Sequence, residues 1–136
     1  MSNRMIEIHD SVIESLVHEE RMIVLKLSHA YIHESDGRPG IDPGTGWGQR
    51  AAISIRGEIV AGGLSELPCD LSSGSLTLGG GKSDNSIPAP LNIKSEIDLF
   101  LVSALGESIT IRGSEIVLEL IGEAEYIEEF PGASWR

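Results

Sequence analysis

A single cysteine, Cys69, stands in 136 residues. No disulfide can form within the chain, and an oxidising compartment is not implied. Aromatic residues are almost as scarce, with two Phe, two Tyr and two Trp, so the core falls to Ile, Leu, Val and Ala. No apolar stretch has the length of a signal-peptide core at the start or of a membrane span anywhere. Residence in the cytoplasm is the expectation. Basic residues are few and never adjacent: ten Lys and Arg against 21 Asp and Glu leave a net charge of −11 at pH 7. A field of that sign repels phosphate backbones, which argues against nucleic acid and anionic membrane surfaces as partners.

Long helical periodicity is missing too. Residues 11–17 are the one helix candidate, with Ser11 and Glu14 in capping-box spacing. The branched Val12, Ile13 and Val17 suit a strand equally, and a hairpin would then pair 12–17 with 22–27 through a turn at Glu19-Glu20.

What the chain does have is a period of two. Ile23, Leu25, Leu27, His29, Tyr31 and His33 fall on one face of an extended run, with Val24, Lys26, Ser28, Ala30 and Ile32 on the other. The same alternation recurs at 51–56, 76–78, 93–101 and 116–126. In the last run Ile116, Leu118, Leu120, Gly122, Ala124 and Tyr126 would face inward, and Gly122 predicts a bulge in mid-strand. Residues 53–60 echo 109–117, and both read as strand, tight glycine turn, strand. Glycine- and proline-rich stretches at 62–63, 67–69, 72–75 and 79–90 read as loops. Roughly six to nine short strands of this kind need a second layer. The expected fold is therefore all-β: an antiparallel β-sandwich or jelly roll forming a single domain over residues 1–136. A closed barrel gives the same period.

Chemistry concentrates between His29 and Gln49. This segment holds two histidines, three carboxylates, two prolines, five glycines and a tryptophan. Asp36-Gly37 and Asp42-Pro43-Gly44 look like successive turns, with Arg38 placed to pair with a nearby acid. Gly44-Thr45-Gly46-Trp47-Gly48 invites comparison with a nucleotide loop, but no lysine and hydroxyl follow it and no helix opens after it. Gly79-Gly80-Gly81-Lys82 fails the same test. Trp47 reads either as a stacking surface at a loop tip or as a plug for the end of the sheets. A binding surface built from Trp47, Asp42, Asp36, Arg38 and Tyr31 is one reading of the region. Its ligand would be a sugar, another small ligand or a protein.

A metal site is the other reading. His29, His33, Glu34 and Asp42 offer nitrogen and oxygen donors suited to zinc or manganese. Two residues four apart in a straight strand lie roughly 13 Å from each other, so joint ligation by His29 and His33 requires a bend. Tyr31 would then serve as an acid or orienting group for a metal-dependent hydrolase or isomerase with a cupin-like site. Hydrogen-bonded, half-buried histidines explain the same residues without a metal, and no cofactor is expected on the binding reading. Cys69 precedes Asp70, whose charge raises a thiol pKa rather than activating it. Ile121 and Ile127 interrupt the acidic face of the last run, and a homodimer would bury them.

The runs at 28–33, 37–42 and 44–47, with Leu67-Pro68 and the stretch at 125–131, resemble a small family of β-rich bacterial proteins of about this length. The resemblance implies a β-rich single-domain fold. It implies no particular activity and gives no residue a role.

Overall fold

The computed structural model describes residues 2–132. It contains eight strands: β1 (Asn3–Glu19), β2 (Met22–Ser35), β3 (Gly44–Gly62), β4 (Cys69–Leu78), β5 (Gly81–Asp84), β6 (Ser86–Pro88), β7 (Leu91–Ser103) and β8 (Ser108–Phe130). All of them pair antiparallel in one sheet of order β5-β4-β7-β8-β3-β2-β1-β6. Among the described residues there is no helix, and so none long and apolar enough to cross a membrane.

The all-β, antiparallel expectation holds, but the hydrogen bonding does not divide the strands into the two sheets of a sandwich or jelly roll. A further pairing, Val12 with Asp70 and Ile13 with Cys69, joins β1 to β4. The sheet thereby returns on itself as a ring of β1-β2-β3-β8-β7-β4. The strands are also longer than expected: β1, β2, β3 and β8 run 17, 14, 19 and 23 residues. Strands of that length wrap round a core only if they coil, and bulges supply the coiling. Register shifts interrupt β1–β2, β2–β3, β3–β8, β4–β7 and β7–β8.

Several elements form as the sequence predicts. The hairpin pairs Val17 with Val24 and Ile13 with Leu27 around a turn at Glu20-Arg21. Residues 11–17 are strand, and Ser11 caps no helix. Its buried hydroxyl donates to the Glu7 carbonyl at 2.7 Å and accepts from the Tyr31 N–H at 3.1 Å, bracing the bulge where Asp10 has φ 76°. Gly122, at φ 74°, lies in a bulge of β8 opposite Gln49. The core is aliphatic, led by Ile13, Ile23, Leu25, Ile55, Leu99, Ile111 and Ile116.

Four expectations need correcting. The stretch at 72–75 lies within β4 and the one at 79–90 holds β5 and β6, because ladder pairing to β7, β4 and β1 overrides the local turn chemistry. In the last run Gly122, Ala124 and Tyr126 are exposed and do not face the core, since the bulge at Gly122 breaks the alternation. The glycines of the internal echo make no turns. Gly57 and Gly113 face each other in β3 and β8, and both strands continue through them beside a register shift between Arg56 and Gly57. Each lacks a side chain because the partner backbone occupies that space: a Cβ on Gly57 would lie 2.6 Å from Gly113 Cα. The faces of β2 also exchange partway along. Leu27 points into the core, yet so do Ala30 and Ile32. The register shift between Leu27 and Ala30 flips the phase. Tyr31 and His33 are therefore buried on the opposite side of the sheet from the core.

Candidate functional site

That flip builds a second packed layer outside the ring. The opening of β3, from Gly44 to Gly48, is strand rather than loop. Gly46 and Gly48 leave a trough in which neighbouring side chains lie flat. A Cβ on Gly46 would overlap the Tyr31 hydroxyl, and one on Gly48 would meet His29 Cε1 at 2.7 Å. Across the trough, Tyr31 Oη donates to Glu128 Oε1 at 2.5 Å. Burial first, then the Glu128 hydrogen bond and charge, push the Tyr31 phenol far above its ordinary value. The His33 ring lies edge-on between Tyr31 and Phe130, at centroid distances of 5.0 and 4.8 Å. Its Nε2 is 2.8 Å from Glu7 Oε2. Tyr31 and His33 thus pack into an outer layer of aromatic rings and carboxylates whose Glu128 side is exposed.

Only residues 36–43 remain as loop, and their conformation is fixed by hydrogen bonds. The Asp42 carboxylate accepts from the Arg38 N–H at 2.7 Å and from Arg38 Nε at 3.3 Å. The backbone N–H first, and the guanidinium after it, hold the Asp42 carboxyl below the usual carboxylate range. Ser35 Oγ donates to the Pro43 carbonyl at 2.8 Å and accepts from the Gly37 N–H at 3.1 Å. Beside this turn runs a groove of about 390 Å³ whose lining includes Glu34, Asp36, Asp42 and Thr45. Glu34 is half-buried and Asp36 exposed, and among the described residues neither carboxylate has a hydrogen-bond or ion-pair partner. Trp47 is half-buried and packs against the core. Its Nε1 donates to Thr45 Oγ1 at 2.7 Å, and its ring meets Tyr126 edge-on at 5.4 Å.

The five binding candidates accordingly divide. Asp36, Asp42 and Arg38 belong to the turn, Trp47 stands behind it, and Tyr31 lies in the outer layer. The four metal candidates divide as well. His33 is engaged with Glu7, Asp42 with Arg38, and His29 lies over Gly48, while Glu34 faces the groove. Among the described residues, the group whose donor atoms all lie within 4.8 Å of one another is Glu7, His9 and Asp10. Sequence reasoning passed over it. Glu7 and His9 share a strand face two residues apart, but the bulge that turns Asp10 toward them leaves no periodic signature.

The space among Ile6, Ile13, Leu25, Ile53 and Leu101 amounts to about 10 Å³, at the lower limit for one water. Cys69 is half-buried, and burial, then the Asp70 and Glu107 charges, raise its thiol pKa, which leaves it weakly nucleophilic at neutral pH. No family model, no curated protein and no solved structure matches this chain, so the reading of its surface rests on its own geometry.

Proposed function

We propose that the protein is a non-enzymatic binding module, and that the groove beside the 36–43 turn takes a small cationic group. The observation that carries this reading is the fixed turn itself. Ser35, Arg38 and Asp42 hold it in one conformation, and a preorganised loop loses little conformational freedom on binding. The carboxylates of Glu34 and Asp36 suit an ammonium or guanidinium group, and charge-assisted hydrogen bonds of that kind are the stronger ones. Trp47 supports the site from behind through Thr45. Titration with propylguanidinium and butylammonium, followed by amide shifts, tests the proposal. Shifts are expected to cluster over 34–45 and to need about tenfold more ligand in the folded Glu34→Gln/Asp36→Asn variant. Shifts scattered over the surface, or unchanged in that variant, would remove the site from this groove.

The second reading is a metal-dependent hydrolase or isomerase. It now rests on Glu7, His9 and Asp10 rather than on His29, His33, Glu34 and Asp42. Elemental analysis of untagged protein discriminates the two. Stoichiometric zinc or manganese, lost in a folded His9→Ala variant, would replace the binding reading; metal-free protein that takes up neither ion on titration would leave it standing.

A further inference from the structure

The second half of β8 leaves the ring. β7 accompanies β8 only from Val102 opposite Ser108 to Leu91 opposite Leu118. Beyond that point residues 119–129 pair with β3 on one side, and their other edge meets no strand among the described residues. Residues 121–129 are all exposed. Glu119, Glu123, Glu125, Glu128 and Glu129 lie along this stretch with no basic residue among them.

An open edge is a template for another strand, and charges along it commonly serve to keep other chains away. Charge alone, however, does not account for this edge. Ile121, Tyr126 and Ile127 are 44%, 53% and 43% exposed among the glutamates. They line a groove of about 280 Å³ that runs over the sheet beside the edge, together with His29, Gln49, Glu125 and Arg50, whose guanidinium is paired with Glu14 at 3.5 Å. Gln49 donates to the Gly122 carbonyl at 2.7 Å, but its Oε1 is buried without a donor among the described residues. The face thus offers unpaired backbone, apolar contact, acidic charge and an acceptor in want of a donor.

We propose that the open edge of β8 over residues 119–129 docks an extended basic segment of another protein, which adds to the sheet as a strand. Backbone hydrogen bonds supply the pairing. Alternate Lys or Arg side chains fall on the face that carries Glu119, Ile121, Glu125 and Ile127, where their ammonium or guanidinium groups meet the glutamates and their methylene stems cover the isoleucines. A second copy of this chain is the poorer occupant, because pairing β8 with itself sets glutamates against glutamates in a protein already at −11.

The test uses the full chain and a labelled, end-blocked octapeptide of alternating lysine and valine. Fluorescence anisotropy is expected to show binding, and hydrogen exchange to show new protection confined to amides within 119–129. Three changes should each weaken binding at least tenfold: N-methylation of alternate peptide amides, glutamate in place of the peptide lysines, and the Glu119→Gln/Glu123→Gln/Glu125→Gln variant, whose side chains make no hydrogen bond among the described residues. Failure of the peptide to bind overturns the proposal, as does binding that survives N-methylation, which would be charge attraction without strand addition. A dimer in sedimentation whose 119–129 amides are protected before any peptide is added overturns it in favour of a second copy.

Discussion

Gly57→Ala is expected to destabilise the protein by about 3 kcal/mol or more, at the upper end of overpacking effects, and to lower Tm by roughly 10 °C. The added methyl would overlap the Arg112 carbonyl oxygen and lie 2.6 Å from Gly113 Cα. These are backbone atoms of the facing strand, so no rotamer change relieves the clash. Relief requires β3 and β8 to separate where both also carry core residues: Ile55 lies two positions before Gly57, and Ile111 two before Gly113. Gly57 also donates its N–H to the Arg21 carbonyl at 2.8 Å, which fixes it from the hairpin side. Gly63→Ala is the matched control. Nothing lies within 4 Å of its would-be methyl, and the change should stay within about 0.5 kcal/mol. Urea denaturation of both variants measures the difference. Equal midpoints for Gly57→Ala and the parent would mean that the two strands are not in close backbone contact at this point.

Ser11→Ala is expected to cost about 2 kcal/mol through a polar group left unpaired in the interior. The Ser11 side chain is wholly buried, and its oxygen accepts the Tyr31 N–H on the β2 side of the bulge. With the oxygen gone, that donor has no replacement from the ladder, because β1 and β2 lose register between Glu7 and Val12. Water is a poor substitute, since the adjoining space is about 10 Å³ and its walls are otherwise aliphatic. Amide exchange at Tyr31 should accelerate along with the drop in stability. Slow exchange at Tyr31 in a variant as stable as the parent would show that the hydroxyl does not brace the bulge.

The contrast between those two positions marks how far the sequence could be read. Alternation at Ile23, Leu25 and Leu27, at Ala51, Ile53 and Ile55, and at Ile97, Leu99 and Leu101 names core residues correctly, because one buried face imposes a period of two. Gly122 announces its bulge, since a glycine inside an otherwise regular run has few other uses there. The bulge in β2 sends no such signal. Apolar side chains continue on both faces through Ala30, Tyr31, Ile32 and His33, so a change of phase leaves the pattern looking regular, and Tyr31 and His33 are misassigned to the core side. Gly57 and Gly113 mislead for a related reason: a turn and a close strand crossing both demand glycine. Ring closure rests on Val12, Ile13, Cys69 and Asp70 meeting, a pairing of distant segments that no local window contains. Of the candidate site, the turn chemistry of Asp36 to Asp42 was legible because it is local. The outer layer was not, because Glu7, Tyr31, His33, Glu128 and Phe130 come together from three strands.

The place of β8 in the ring has a consequence for how the molecule is made. Its neighbours are β3 and β7, both of which precede it in the chain. Before residues 108–118 emerge during synthesis, the N-terminal hairpins and the β4–β7 pair are two half-sheets joined by two residue pairs of β1 with β4 and three of β1 with β6, with β3 and β7 as open edges. β8 acts as the keystone of the ring, so the nascent chain carries unpaired, aliphatic strand edges until that strand has emerged. That is the interval in which such edges are most exposed to wrong partners, and it ends when seventeen residue pairs form between β3 and β8.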